Sequence, residues 1–405
     1  MSFQTGLSGL NAASRNLDVI GNNIANANTV GAKVSRAEFS QIVLAAGGGD
    51  GVAGGIGVEV AAVSQLFTQG SVEITGRNLD LAINGPGFFR VTQPDGTAAY
   101  TRSGDFKLDT QGNIVTNAGA NLMGYPTTVA GVPTSNTLQA LQLPTSSPIP
   151  AQATTAITAE FNLDARQPVW NTPVPPIALT TYGTSVTTYD AQGAPIASSV
   201  YMRKSANDTW EVYTDPTSNA TATATRVATL NFGTNGQLLS SVPAAPTINL
   251  VSPNPAIGAF SATIDMAAVT QYATAFAVSD LSQDGYAPGD FVSLKIGENG
   301  VILASYSNGQ NQATGQVALV DFRNVQGLTA SAGNTWIETI ASGQPIQGSP
   351  AVGKFGALRA GALEQSNIDL TSELVNMMTA QRTYQANAQT IKTQDQVLST
   401  LTNLR

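Results

Sequence analysis

The chain has 405 residues, of which 42% are hydrophobic, so it is long enough for about two or three domains with sizeable cores. Lys and Arg number 18 and Asp and Glu 26, giving a net charge of -8, and only 11% of residues are charged. Binding to nucleic acid or anionic lipid requires clustered cations, which so sparse a set does not provide. Composition therefore argues against both as partners.

The sequence contains no cysteine and no histidine. This removes disulfides, thiolate nucleophiles, imidazole bases and the common zinc ligand sets, so any catalysis would have to come from carboxylates, Lys, Tyr or a borrowed cofactor. We expect no enzyme, no metal site and no cofactor. Residues 1–6 contain neither a basic segment nor a continuous apolar run, and we therefore expect no cleavable signal peptide. No apolar run approaches the roughly 18 residues that span a bilayer.

Apolar residues recur at steps of three and four through the first 24 positions, which predicts a helix with one buried face. Its stripe comprises Phe3, Leu7, Leu10, Ala13, Leu17, Ile20 and Ile24. Gly6, Gly9 and Gly21 weaken this helix in isolation. The stripe therefore needs a partner surface.

A glycine-rich segment follows the first helix. Its glycines are Gly47, Gly48, Gly49, Gly51, Gly54, Gly55 and Gly57. Residues 49–54 match the dinucleotide pattern G-x-G-x-x-G, but the glycines and valines that follow disfavour the helix that would hold a pyrophosphate. We interpret these seven glycines as a flexible hinge, because glycine changes φ and ψ at little cost.

The middle of the chain alternates turn signals with short runs of Thr, Val, Ile and aromatic residues, which predicts antiparallel β structure. For example, Phe291–Ile296 and Val301–Tyr306 flank Asn299-Gly300 as the two strands of a hairpin would. From about residue 144 the composition shifts toward Thr, Ala, Pro and Ser. We therefore predict a second β domain at 146–284, inserted into a first one at 72–145 plus 285–355.

Paired carboxylates offer the alternative of a glycosidase. Asp105 with Asp109, or Asp284 with Asp290, are close enough in sequence to be considered. Aspartates beside glycine are more often turn formers, which favours a structural role for these residues.

A second helix is predicted from Leu370 to Arg405, with Asp369 as its N-cap. At 1.5 Å per residue it would be about 50 Å long. Its apolar stripe comprises Leu370, Leu374, Met377, Tyr384, Ala388, Ile391, Leu398 and Leu401.

Two narrow stripes packed only on each other bury too little apolar surface to offset the conformational entropy of ordering both ends. The missing surface would come from other copies of the chain, so we predict a homopolymer with both stripes, apart from Ala13, as the subunit interface. The alternative is an ordinary helical hairpin packed on a globular domain.

Several long motifs resemble the rod and hook family of bacterial flagellar axial proteins. They are residues 16–33 (NLDVIGNNIANANTVGAK), 76–91, 100–126 and 361–387, in the order that the family has them. Ala32 departs from the pattern, because the family commonly has an aromatic residue between this glycine and lysine. Side-chain packing in this part of the linker should therefore differ from the family pattern.

The resemblance implies a mainly β fold, with tandem antiparallel β domains and terminal helices that pair as a coiled-coil-like inner domain. That inner domain would span 1–28 plus 366–405, and a glycine-rich linker 29–71 plus 356–365. The inserted β domain favours a hook subunit over the alternative, a distal rod subunit. A secreted carbohydrate-binding or adhesive β protein is the rival class.

Hook members of the family form a flexible tube that encloses the export channel and transmits motor torque as a universal joint. The partners implied are the chain itself, the distal rod, the hook cap, the hook–filament junction proteins and the flagellar type III export apparatus. The implied location is the extracellular hook, reached without a cleaved signal peptide.

Overall fold

The computed structural model describes residues 2–43, 55–145, 148–169, 182–214 and 225–403. These residues divide into two compact units. The first contains the described parts of 1–146, 293–305 and 311–405, and the second those of 147–292 and 306–310.

Two long α-helices lie at the ends of the first unit, α1 at Ser2–Ala25 and α2 at Leu370–Asn403. The predicted N-cap of α2 is confirmed. Asp369 Oδ1 accepts hydrogen bonds from the amides of Thr371 (2.9 Å) and Ser372 (3.4 Å), which satisfies donors that have no partner inside the helix.

Ten described strands precede the second unit. They are β1 Ser35–Val43, β2 Gly55–Gln65, β3 Val72–Ile74, β4 Leu81–Asn84, β5 Phe88–Thr92, β6 Ala98–Thr101, β7 Lys107–Leu108, β8 Ile114–Val115, β9 Asn121–Tyr125 and β10 Gln139–Ala140.

The strands of the second unit alternate buried and exposed residues, as half-buried sheets require. They are β11 Ala156–Asp164, β12 Tyr182–Tyr189, β13 Pro195–Ala206, β14 Thr209–Thr214, β15 Thr225–Phe232, β16 Leu238–Val242, β17 Thr247–Val251, β18 Ala259–Asp265, β19 Thr270–Tyr272 and β20 Ala277–Gln283.

Two five-stranded sheets share one core in this second unit. One has the order β12-β13-β14-β15-β16 and the other β17-β18-β11-β19, with β20 also paired to β11. Ile157, Trp210, Val212, Leu230 and Ile264 all belong to the shared core. The arrangement is a β-sandwich. Strand β11 pairs in parallel with β18 and β19, a departure from the antiparallel expectation.

The chain then returns to the first unit. Its remaining elements are β21 Phe291–Ile296, β22 Val301–Tyr306, β23 Asn311–Val317, β24 Leu319–Asp321, the 3-10 turn η1 Val325–Gly327, β25 Thr329–Ser331, β26 Thr335–Ile337, β27 Ile346–Gly348, β28 Ala357–Ala360 and β29 Ala362–Glu364. The hairpin predicted around Asn299-Gly300 is confirmed, since β21 and β22 are neighbours and Gly300 has a φ of 79°.

A large sheet with the path β21-β22-β23-β9-β5-β6-β26-β25 forms the β core of the first unit. Phe88, Tyr100, Val320, Phe322 and Trp336 are buried together there, and Phe88 and Trp336 meet edge to face at 5.7 Å. Two short ladders, β28 with β4 and β29 with β3, join the segment before α2 to the N-terminal part of the chain.

The region predicted as a linker contains two long strands that sequence analysis missed. β1 and β2 pair antiparallel, so Gly55 and Gly57 belong to a strand. A strand at Gly55–Gln65 also leaves no helix N-terminus after the dinucleotide-like pattern.

Gly57 has a φ of 134°, and a Cβ there would collide with the hydroxyl of Ser8 in α1. The other five glycines, Gly47, Gly48, Gly49, Gly51 and Gly54, lie outside the described residues.

Candidate assembly interface of the terminal helices

The two terminal helices meet through small residues. A Cβ at Gly6 would lie 3.1 Å from Ile391 Cγ1, and one at Gly9 would lie 3.0 Å from the amide nitrogen of Asn387. Ala13 and Ala380 are buried. The glycines that weaken α1 as an isolated helix therefore permit the close approach of α2.

Larger apolar side chains of α2 remain uncovered. Leu374 is 48% exposed and Met378 54%, and Leu370, Val375 and Tyr384 are exposed as well. On a single chain this is an apolar face without a partner, and such faces are typical of protein interaction surfaces. We call these five residues the α2 apolar face.

The structure distributes the predicted interface residues over three environments. Leu7, Leu370, Leu374 and Tyr384 are exposed, Leu10, Leu17, Ile24, Met377, Ala388 and Ile391 are half-buried, and Ile20 is buried. Phe3, Leu398 and Leu401 lie on the helices, but their side chains are outside the described residues.

Sequence reasoning missed Val375 and Met378, because each follows directly after a stripe residue and so falls off the periodic pattern. The signal that could have found them was present, since both are apolar. The exposed face is consequently wider than the predicted stripe.

A groove of about 760 Å³ lies between the two helices and the β1–β2 hairpin. Its apolar lining includes Ala12 and Ile20 of α1, Phe39 of β1 and Val58 of β2. Phe39 is 45% exposed, so the hairpin extends the apolar surface of the helix pair.

Asn23 connects α1 to the hairpin and to α2. Its amide oxygen accepts from the backbone nitrogen of Ser35 (2.9 Å), and its amide nitrogen donates to the Ser35 carbonyl (2.8 Å) and to Glu373 Oε2 (3.2 Å). Asn23 is 2% exposed, so its bond to Glu373 is shielded from water, while the two bonds with Ser35 are partly buried. This gives a physical role to the second asparagine of the Asn-Asn-Ile-Ala-Asn motif.

The turn after α1 is tightly constrained at Gly31, whose φ is 69°. A Cβ there would lie 2.6 Å from the amide nitrogen of Ser103, so glycine is required on both conformational and steric grounds. Ala32, the departure from the family pattern, is buried and lines a cavity of about 530 Å³ together with Asn334.

Four family models match the chain. "Flagella basal body rod protein" matches residues 3–33, "Flagellar hook protein FlgE/F/G D1 domain" 82–160, "Flagellar basal body protein FlaE D2 domain" 162–286 and "Flagellar basal body rod FlgEFG protein C-terminal" 359–404.

The chain is 42% identical to the flagellar hook protein FlgE of Escherichia coli (strain K12) over 416 aligned residues, covering the whole of both chains. The chain belongs to the flagellar hook protein FlgE family. The FlgE of Rhizobium meliloti (strain 1021) is 34% identical over all of this chain and 98% of its own. The protein is a structural subunit of the flagellar hook, as the resemblance implied.

The crystal structure of Helicobacter pylori flagellar hook protein FlgE2 is similar to this FlgE-family chain with a TM-score of 0.55. The match covers 72% of this chain and 100% of that one at 16% identity, and so supports the fold alone.

Two of the carboxylates considered for hydrolysis, Asp109 and Asp284, serve a turn and a strand end in this FlgE-family chain. Asp109 accepts from the Gln111 and Asn113 amides at 2.8 Å, and the Asn113 side chain is the main cause of its lowered pKa. Burial raises the pKa of Asp284, but bonds from Ala156 and Thr155 lower it overall. A catalytic acid needs a raised pKa, so neither residue suits that role.

The described residues contain no cluster of three or more acidic side chains placed to hold a metal ion. In the same part of the chain, neither helix is long and apolar enough to cross a membrane.

An ion cluster is buried where the terminal segments join the β region. Lys33 Nζ lies 2.5 Å from Glu364 Oε1, and Arg102 Nη1 lies 3.1 Å from Glu364 Oε2. Burial is the main cause of the lowered pKa of Lys33, although Glu364 opposes it. Arg102 also lies over the ring of Phe88 at 5.3 Å. We call Lys33, Arg102 and Glu364 the junction cluster.

Proposed function

We propose that this hook subunit self-assembles into a tubular polymer through its terminal helices, with the predicted stripes and the α2 apolar face as the subunit interface. The observation that carries the proposal is the exposure of large apolar side chains, such as Leu374 and Met378, on helices that already touch through Gly6, Gly9 and Ala380. The side chains of the α2 apolar face are exposed on the single chain, so they are free to pack against neighbouring copies.

Each predicted domain has its own mechanical role in the polymer. The helices, at 1–28 plus 366–405, line the export channel and resist torsion through apolar packing. The inserted β domain at 146–284 faces outward and slides over its neighbours, since sparse charge leaves few ion pairs to break. The glycine-rich linker supplies the hinge, so the polymer bends while transmitting torque from rod to filament as a universal joint.

The chain acts outside the cell, after unfolded export through the flagellar type III apparatus. Its partners are other copies, the distal rod, the hook cap and the hook–filament junction proteins. It has no enzymatic activity; the absence of His and Cys and the structural roles of Asp109 and Asp284 support this.

The test is Leu374→Asp, which places a charge on the α2 apolar face. A charge buried without a partner is costly, so the concentration needed for polymerisation should rise at least tenfold. Electron microscopy and sedimentation measure the polymer, and circular dichroism should show unchanged β content.

Gln389→Asp is the matched control, because it introduces the same charge at an exposed polar position of the same helix. It should polymerise like the wild type. Normal tubes from Leu374→Asp would contradict the proposal. Ile391→Asp is less selective, because Ile391 also contacts Gly6 within the chain.

A further inference from the structure

One carboxylate holds together segments that lie far apart in the sequence. Glu364 Oε1 accepts from Lys33 Nζ (2.5 Å) and from the Gly70 amide (3.0 Å), and Oε2 accepts from Arg102 Nη1 (3.1 Å). Lys33 follows α1, Gly70 follows the β1–β2 hairpin, Arg102 follows β6, and Glu364 ends the strand before α2.

All three charged side chains of the junction cluster are shielded from water. The side chains of Lys33 and Glu364 are fully buried, and that of Arg102 is 5% exposed. Among the described residues, Glu364 is the one carboxylate in an ion pair with either cation. Without it, two cations would lie buried and uncompensated, which is far more costly than an exposed broken pair.

The remaining bonds of the two cations go to backbone carbonyls. Lys33 Nζ donates to the Thr68 carbonyl (2.8 Å) and Arg102 Nη2 to the Gly85 carbonyl (3.0 Å). These partial charges help to solvate the cations but do not neutralise them. The side chains can therefore take up these positions at low cost only when the segment carrying Glu364 is also in place.

We propose that Glu364 is a charge clasp that makes the ordering of residues 29–34 and 66–76 depend on the docking of residues 362–367. The N-terminal junction, the β region around Arg102 and the segment leading to α2 then order in one cooperative step. The clasp acts within a single chain and does not depend on self-assembly.

Backbone pairing alone does not account for this dependence at every position. The Leu66 amide donates to the Val34 carbonyl (2.9 Å) and the Leu81 amide to the Gly104 carbonyl (3.0 Å). Neither acceptor belongs to residues 362–367. The side chain of Asn367 also bonds the Val34 amide (2.8 Å) and the Leu66 carbonyl (2.8 Å), but these neutral bonds are unchanged by substitution of Glu364. Protection of these two amides from exchange therefore reports whether the junction stays ordered when the charge of Glu364 is removed.

The experiment is native-state hydrogen exchange on the full chain in dilute monomeric solution, comparing wild type with Glu364→Gln. Exchange at Leu66 and Leu81 is expected to rise at least tenfold, together with exchange in 362–367. Exchange in the second-unit sandwich is expected to stay within twofold.

Asp321→Asn is the matched control, because it also removes one carboxylate charge from an ion pair in the same unit. Asp321 lies 2.6 Å from Lys354, whose side chain is 47% exposed. Since solvent compensates for a lost exposed pair, exchange at Leu66 and Leu81 should change by less than twofold.

The clasp would be overturned if the exchange rate in Glu364→Gln rose only within residues 362–367. It would also be overturned if exchange at Leu66 and Leu81 rose equally in Glu364→Gln and Asp321→Asn. If Glu364→Gln does not fold, the triple variant Lys33→Met, Arg102→Met and Glu364→Met provides the test, because it leaves none of the three charges to bury. Wild-type protection at Leu66 and Leu81 in the triple variant would support the clasp. A triple variant without protection there would overturn it.

Discussion

The terminal helix pair and the β-sandwich of the second unit differ in where they place their large apolar side chains. In the sandwich, the large side chains of Trp210 and Leu230 are almost completely buried. In the helix pair, Gly6 and Gly9 of α1 lie close to the side chains of Ile391 and Asn387 of α2, while Leu374 and Met378 face solvent. The sandwich completes its own core, and the helix pair does not.

The two regions also use charge differently. Arg203 and Arg226 of the sandwich pair with Glu211 near the surface, with side chains that are 26%, 60% and 14% exposed respectively. Removing one of these partners leaves a group that water can solvate. The charged groups of the junction cluster are buried, so water cannot solvate the one that loses its partner. Electrostatic substitutions should therefore matter more at the junction than on the sandwich.

Of the substitutions that test this difference between the sandwich and the helix pair, Trp210→Ala should have the largest effect. Trp210 is 1% exposed, and its indole nitrogen donates to Gln271 Oε1 at 2.9 Å, so truncation leaves a cavity and removes the hydrogen-bond donor of that buried amide oxygen. We expect the free energy of unfolding of the sandwich to fall by about 3–5 kcal/mol, measured by denaturant titration. Polymers should still form if the helices assemble independently of the sandwich.

The control is Trp336→Ala, which truncates an equally buried tryptophan in the β core of the first unit. It should lower the unfolding transition of that unit and leave the sandwich transition unchanged. A Trp210→Ala protein that is folded at the helices yet unable to polymerise would show that assembly depends on the sandwich.

A smaller effect concerns alkaline pH. Burial, followed by the hydrogen bond to Glu211, raises the pKa of Tyr213 to about 12. A folded pKa above the unfolded value of about 10 means that Tyr213 contributes its full stability below pH 10 and loses it as pH rises toward 12. After a discount for partial solvent screening, the sandwich should lose about 1 kcal/mol over that range because of this residue.

Tyr213→Phe should flatten this alkaline loss in unfolding titrations at fixed pH values, while keeping a ring for Arg203, which lies 4.9 Å from its centre. Tyr272→Phe, at a 43% exposed tyrosine of the same unit, should leave the loss in place. If the unfolding free energy of Tyr213→Phe fell with pH as steeply as that of the wild type, Tyr213 would not be the cause of the alkaline loss.

The smallest expected effect measures how closely the helices approach. Nothing lies within 4 Å of a Cβ at Gly21, so Gly21→Ala should stabilise α1 by about 0.5–1 kcal/mol. Gly9→Ala offers the same gain in helix propensity, but Asn387 must move. Thermal melts followed by helical circular dichroism should show a smaller gain at Gly9. Equal gains would mean that the pair does not need this close contact.

Much of the fold could be predicted because local signals agree with the final structure. The start of α2 follows from Asp369, and the β21–β22 hairpin follows from Asn299-Gly300 between alternating strands. The β1–β2 hairpin was missed, because its glycines indicated a loop and its strands pair only with each other. The parallel partners of β11 were also missed, because such pairings join segments distant in sequence.

The exposed apolar residues of the terminal helices could be predicted only in part. Periodicity identified Leu370, Leu374 and Tyr384, but it could not separate residues that stay exposed from those that are buried within the chain, such as Ile20. The seven predicted hinge glycines remain a prediction.

The sequence by itself determined two terminal helices, two regions of β structure and membership of an axial flagellar family, since each depends on short-range periodicity, turn chemistry or long motifs. Only the tertiary structure decided that Gly6 and Gly9 are contact residues, that Asn23 ties α1 to both neighbours, and that Lys33, Arg102 and Glu364 share one buried site. The reason is physical: a charge or a missing side chain acquires its role from groups hundreds of residues away, and no local pattern records which groups those are.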